Sequence, residues 1–483
     1  MNTFKRKSLH AALAGLGALG ATGAAQAVNV NPDGLGQALI YPYYTTNGTI
    51  APYNSLLSVV NSTNSGKVVK VRFLEGKNSK EVLDFNLWLS PRDVWTAAIV
   101  PFANGGAGIL TADLSCTTPP IPAAGQPFTN IKFTEDAAGV GLDRTKEGYV
   151  EIIEMGNVTG ATLTAITHVQ PAPPGKPPGC AGLPAVTQPT DLVQGNGGLF
   201  GGISLVNPLS GGDVTADSVA LANFCTAPTN CANTLWQPAG SILPDLSLVS
   251  PKTSVVFNNT EVVTTNWSAG FPVDPVSAVL MHDNVFNEFV LDSGTQSGTD
   301  WVVTFPTKHF YYDANNNRLK LFQSNFRATG ACDDILLTQY NREEQTVVNV
   351  PGFSPPSPQG SVALCWEANV LSWVSTVAPA YPQNVLLSAN RSTQTTDFTN
   401  GWASMNFFPA TVTLPVHQLI GGVTTRQDTT SFVLTQQATS TYNGLPVIGF
   451  AVQSFANGTV TSATSAALHY TGSFIHRYSR LIQ

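Results

Sequence analysis

Glu151 and Glu154 stand three residues apart in EGYVEIIEM (Glu147 to Met155) and are the first residues whose types suggest chemistry. A carboxylate pair can act as acid and base across a glycosidic bond. The segment alternates like a strand, however, so a spacing of three puts the two groups on opposite faces, where they cannot flank one bond. Glu151 shares its face with Tyr149 and Ile153, and Glu154 shares the other with Val150 and Ile152. Ion pairs with a neighbouring strand are the expected role. Asp313, Asn315 and Asn317 repeat at the D-x-N-x-N spacing that gathers oxygen ligands around Ca2+. Arg318 stands where such a loop needs Gly, and no Glu closes twelve residues, so a plain Asn-rich turn is favoured over a metal site.

His282-Asp283, followed by Asn284, Asn287 and Glu288, is the most site-like of the histidines and reads as a polar hairpin loop. The chain has no H-E-x-x-H, and no G-x-S-x-G, phosphate loop or dinucleotide fingerprint follows a strand. Trp88, Trp95, Trp301, Trp366 and Trp373 can stack on sugars only if exposed, and strand tryptophans more often cover a core edge. The sequence assigns no catalytic residue and no cofactor, and the balance leans away from an enzyme.

Residues 1–27 give an address. Lys5, Arg6 and Lys7 form a basic start, an Ala/Gly/Leu-rich stretch follows, and Ala25-Gln26-Ala27 supplies a small-x-small cleavage site. The expected mature chain begins at Val28 and is exported to the cell surface, the extracellular space or the periplasm. Six cysteines remain there: Cys116, Cys180, Cys225, Cys231, Cys332 and Cys365. In an oxidising compartment they read as disulfides, and sequence order suggests Cys116–Cys180, Cys225–Cys231 and Cys332–Cys365 among the possible pairings.

Charged residues make up 11% of the chain and hydrophobic residues 43%, which suits many short strands with turn-rich connections. Taking the three basic residues of the leader from 23 Lys+Arg, against 30 Asp+Glu, leaves a mature net charge of −10. No basic cluster remains, which disfavours nucleic acid as a partner. No later stretch is long and apolar enough for a transmembrane helix.

The elements that must position these residues are strands. In KVVKVRFLEG (Lys67 to Gly76), Val69, Val71 and Phe73 line one face, with Lys70 and Arg72 on the other. In EVLDFNLWLS, Leu83, Phe85, Leu87 and Leu89 oppose Asp84, Asn86 and Trp88. Asp84 is expected beside Lys70 or Arg72 on a solvent-facing surface. ALIYPYYTT, broken by Pro42, reads as an edge strand, DVTADSVALANF (Asp213 to Phe224) as the best helix, and PVSAVLM as a strand. The expected fold is all-β, with antiparallel β-sandwich modules of Ig-like or jelly-roll type, long Pro/Gly-rich loops and at most one or two short helices. Gly195 to Gly202 suggests a boundary between an N-terminal sandwich (28–194) and a β-rich region (195–483) of one large or two small sandwiches.

YPYYTT (Tyr41 to Thr46), VKVRFLEGKNSKEVLDFNLWLSPRDVWTA (Val69 to Ala97) and TDWVVTFPTKHFYY (Thr299 to Tyr312) resemble an uncharacterised group of secreted proteobacterial proteins. The resemblance implies a Gram-negative source and export, and carries no site residues. The functional expectation is an exported, non-catalytic surface or extracellular β-sandwich protein with an attachment, matrix or assembly role. Its partners would be surface polysaccharide, other surface proteins or further copies of itself. The first alternative is a carbohydrate-binding or carbohydrate-active secreted protein, and the second is an outer-membrane β-barrel.

Overall fold

The computed structural model describes residues 27–169, 175–225, 234–247, 253–267, 271–311, 321–322, 324–346, 361–377, 384–409, 416–431, 433–461 and 467–483. Alternating side chains and frequent turn residues produce antiparallel sheets, as expected, and, among the described residues, two short α-helices, Gly160–Ile166 and Asp274–Leu280. Strands are numbered in chain order.

The central sheet runs β1 (Asn29–Val30), β15 (Val219–Ala222), β2 (Ala38–Thr45), β10 (Glu147–Val158), β4 (Gly66–Glu75), β5 (Glu81–Leu89), β8 (Cys116–Thr118). A further strand, β11 (Leu192–Val193), pairs with β10. The sheet packed over it runs β14 (Gly212–Asp217), β13 (Gly202–Asn207), β3 (Asn54–Asn61), β6 (Val94–Pro101), β7 (Ala107–Leu110), β9 (Gln126–Pro127). The short β12 (Leu199–Phe200) pairs with β3. Val69, Val71, Phe73, Phe85 and Leu87 meet Leu57, Val59, Trp95 and Ile203 in one core between these sheets. Leu89 joins them, and Leu83 packs against them partly buried. Gly195 to Gly202, expected as a module boundary, lies within this sandwich, whose strands continue to Ala222.

The later strands form five sheets. One runs β22 (Ser361–Leu364), β21 (Asp333–Asn341), β25 (Asn400–Asn406), β19 (Asn284–Val290), β33 (Arg477–Ser479). It faces β24 (Arg391–Thr396), β23 (Ala368–Ser375), β20 (Gly298–Thr304), β31 (Ile448–Thr461), β32 (Ala467–Ile475) across Phe289, Trp301, Trp373 and Met405. The others are β16 (Thr253–Asn258), β17 (Glu261–Asn266), β27 (Thr424–Asp428), β28 (Leu434–Gln437); β18 (Met281–His282) with β30 (Leu445–Pro446); and β26 (Gln418–Gly421), β29 (Ser440–Asn443), β34 (Leu481–Ile482).

Both faces of the central sheet are covered. Trp88, Tyr149 and Ile153 point away from the N-terminal core and join Val276, Leu280 and Trp267 of the later chain. Asp84 and Asn86 therefore do not face solvent: Asn86 is fully buried and the Asp84 side chain is 11% exposed. Their covering surface comes from residues far downstream, including Pro238 and Gly240.

Three other expectations are corrected. Pro42 lies inside a central strand between β15 and β10, where a register shift opposite Gly148/Val150 absorbs its missing N–H. DVTADSVALANF forms β14 and β15, which cross between the two sheets at Ser218; Val214, Thr215 and Val219 are β-branched and no cap holds a helix. PVSAVLM supplies the Asp274–Leu280 helix, with Pro275 in its first turn and every residue buried.

Candidate functional site

Several charged side chains are buried in ion pairs. On the N-terminal face of the central sheet, Lys67 Nζ lies 2.5 Å from Glu154 Oε1 and also donates to Asn157 and Asn196. On the opposite face, Arg72 Nη1 meets Glu151 Oε2 at 2.6 Å while its Nε meets Glu81 Oε2 at 2.8 Å. Lys70 pairs with Asp84 at 2.7 Å, and Arg144 holds Glu75 and Asp136 at 2.8 and 2.6 Å. Farther along, Lys308 pairs with Asp333 at 3.0 Å. Glu151 and Glu154 thus occupy opposite faces as their spacing requires, each beside its own cation.

Several titratable groups surround Glu151. Burial raises its carboxyl above the ordinary range, against the opposing pull of Arg72 and His309. Tyr149, whose hydroxyl shares a 2.7 Å hydrogen bond with Ser79, is pushed up by burial and by the nearby Glu151 and Glu367. His309 Nδ1 stands 3.6 Å from Glu367 Oε2. The carboxylates of Glu151 and Glu367 are buried, both at 0% exposure, while the His309 side chain is 20% exposed.

A second pair of buried acids clasps the segment 385–390. Glu147 Oε2 accepts from Tyr43 Oη and Ser388 Oγ, both at 2.7 Å, and its Oε1 accepts from the backbone N–H groups of Ala389 and Asn390 at 3.0 and 2.9 Å. Asp300 Oδ2 accepts from Leu386 N at 2.8 Å, and Tyr53 Oη donates to Val385 O at 2.8 Å. Burial pushes the Asp300 carboxyl up to about 6. Nothing in the local sequence marks Asp300 or Glu147, because their partners in 385–390 lie 86 and more than 240 residues away.

His282 is not in a polar loop. The buried helix before it delivers its ring into the core, stacked on Tyr478 with centroids 4.0 Å apart. Burial, aided by Arg480, holds its pKa well below the ordinary value. Asp283 accepts from Ser479 Oγ and Asn284 Nδ2, both at 2.8 Å. Disulfides join Cys116 to Cys180 and Cys332 to Cys365. Cys225 is disulfide-bonded, and Cys231 lies outside the described residues. Asp313, Asn315 and Asn317 also lie outside them. Among the described residues, no group of three or more His, Cys, Asp or Glu could hold a metal ion.

Trp88, Trp95, Trp301 and Trp373 are fully buried, and Trp366 sits beneath Lys77, whose Nζ is 5.3 Å from the ring centroid. The exposed aromatic patch is one that sequence reading passed over. Trp402 on β25 is 40% exposed and stacks on Tyr340 of β21 at 4.3 Å, with Phe286 of β19 at 6.4 Å. Strict alternation with the buried Ala403 and Met405 was the available signal. Three open grooves, each about 650 to 730 Å3, lie elsewhere. One follows the outer face of the second sheet, with Ser58, Thr96 and Ser204 between Leu56, Leu110 and Phe200. Another gathers Lys146, Asn207 and His469; the third gathers Gln37, Gln194 and Asn223. No protein-family model, curated protein or solved structure matches this chain.

Proposed function

We propose that the protein is exported and acts without catalysis at the cell surface or in the extracellular space, in attachment, matrix or assembly. The observation that carries this reading is the burial of Glu151 and Glu154. The carboxylates that first suggested hydrolysis are held in buried ion pairs. The open grooves offer mainly hydroxyl, amide and aliphatic groups. Disulfides joining distant segments suit an oxidising compartment. No helix among the described residues is long and apolar enough to cross a membrane. Filled sandwich cores support this reading over a membrane barrel.

The test is cell fractionation into cytoplasm, periplasm, outer membrane, surface and medium, with N-terminal sequencing of the recovered protein. Recovery outside the cytoplasm with Val28 first is expected. A cytoplasmic protein retaining Met1, or polysaccharide hydrolysis abolished by Glu151→Gln, would overturn the reading.

Saccharide binding is favoured as a second reading by the Phe286–Tyr340–Trp402 patch alone. One face of Trp402 is spent on Tyr340, leaving its other side open to stack on a sugar ring. Retention on a neutral polysaccharide, weakened by Trp402→Ala, supports it, and unchanged retention removes it.

A further inference from the structure

Sheet edges expose unpaired N–H and C=O groups, and folded proteins normally shorten, cover or charge them. Most edges here are managed in these ways. β14 is covered by β32, whose Thr471 and Ser473 hydroxyls donate to Asp213 O and Thr215 O. β16 is bridged by Val28, and β8 carries the Cys116 disulfide. β9 ends in Pro127, β33 carries Arg477, and β24 begins at Arg391 and receives Gln339 Nε2 on Thr395 O. β1 and β34 are two residues long.

β28 differs. It is the edge strand exposed at every residue among those described, and Val433 just before it is 56% exposed. It also opens a long uncharged run: between Asp428 and Arg477 the sequence has no Lys, Arg, Asp or Glu. Its LTQQ sequence has no Pro, charge or bulge to discourage an incoming strand. Asp428 N donates to Val433 O at 3.1 Å, so alternation turns the backbone groups of Val433, Thr435 and Gln437 toward β27. The N–H and C=O of Leu434 and Gln436 then point outward, with no partner among the described residues.

We propose that β28 is a self-association edge, on which a second copy of this chain adds its own β28 antiparallel. The proposal rests on the assembly reading above and names its partner and surface. Leu434 of each copy bonds with Gln436 of the other, and the two Thr435 residues face each other on the twofold axis as a non-hydrogen-bonded pair. Two four-stranded sheets become one continuous sheet. A second copy fits because identical antiparallel strands satisfy each other by symmetry, and an uncharged strand brings no like-charge repulsion. Arg426, opposite Thr435 on β27, is already held by Glu261 at 3.0 Å.

The test uses the purified exported protein. Sedimentation equilibrium over a wide concentration range should show a monomer–dimer equilibrium. Thr435→Cys should yield a dimer on a non-reducing gel, because Cα atoms of such a pair lie about 4.5 Å apart. Gln436→Pro removes an outward donor while leaving the β27 ladder intact, and should raise the dimer dissociation constant by about tenfold or more with an unchanged circular dichroism spectrum. Amide exchange at Leu434 and Gln436 should slow on dimerisation. A monomer at every concentration overturns the proposal, as does a dimer that neither cross-links at position 435 nor weakens in Gln436→Pro. Either result leaves the exported reading standing. A cytoplasmic protein that still dimerises through β28 would end that reading alone.

Discussion

Burial acts in opposite senses on His476 and Asp300, since each group resists the charged form. His476 Nε2 lies 2.9 Å from Val302 O and Nδ1 lies 3.0 Å from Asn287 Nδ2, which defines a neutral ring donating from Nε2 and accepting at Nδ1. Its pKa is lowered to about 4. The folded value is below the ordinary one, so its contribution is present above about pH 6.5 and is lost as pH falls through about 4. Asp300, raised to about 6, contributes fully below its ordinary value and loses that contribution as pH rises through about 6. Urea unfolding at pH 7 and 5 should show wild type gaining about 1 kcal/mol on Asp300→Asn as pH is lowered. His476→Gln should instead flatten the loss seen between about pH 6.5 and 4. A constant difference between wild type and Asp300→Asn across this range would remove the buried-acid account.

At the scale of elements, β4 and β5 show what a sequence reveals and what it hides. The core faces were legible, because the period-2 pattern places Phe85 and Leu87 with Val69, Val71 and Phe73. That Asp84 sits beside Lys70 or Arg72 was legible too, and the structure selects Lys70. Their burial was not, since alternation distinguishes two faces without showing that a distant segment covers the polar one. Phe85→Ala, which empties space beside Trp95 and Phe73, should cost about 3–5 kcal/mol in chemical denaturation. Asp84→Ala, cheap if the pair were exposed, should cost about 2–3 kcal/mol because Lys70 is left buried without its anion. Burial already lowers the Lys70 pKa. A loss well below 1 kcal/mol for Asp84→Ala would mean that solvent reaches Lys70. Helix and strand were confused for related reasons: β-branched Val214 and Thr215 decided against a helix, while tertiary burial imposed one on PVSAVLM.

For the whole molecule, the Cys116–Cys180 disulfide ties an edge strand of the central sheet to a short 3-10 helix 64 residues later. Replacing both cysteines by alanine should lower unfolding free energy by about 4 kcal/mol on the chain-entropy model. Equilibrium unfolding of the double variant checks this, and an unchanged midpoint would mean that the unfolded chain is not usefully restrained. The candidate site was least legible at this scale. Glu147, Asp300 and the segment 385–390 meet only after the two halves dock, and no local pattern encodes that meeting.

The interleaving of early and late strands also sets when folding can finish. β1 pairs with β15, while Val28 bridges β16, whose sheet continues through β17 to β27. β19 receives β33, and β20 receives β31. A chain emerging N-terminus first therefore cannot complete these sheets until β31 and β33 have emerged. Such distant pairings carry a large loop-closure entropy before contacts compensate it, which makes assembly slow. During that interval the uncharged strands are open to one another across molecules. For this protein the critical hazard is one of timing, and it falls between emergence of the first strand and arrival of the last.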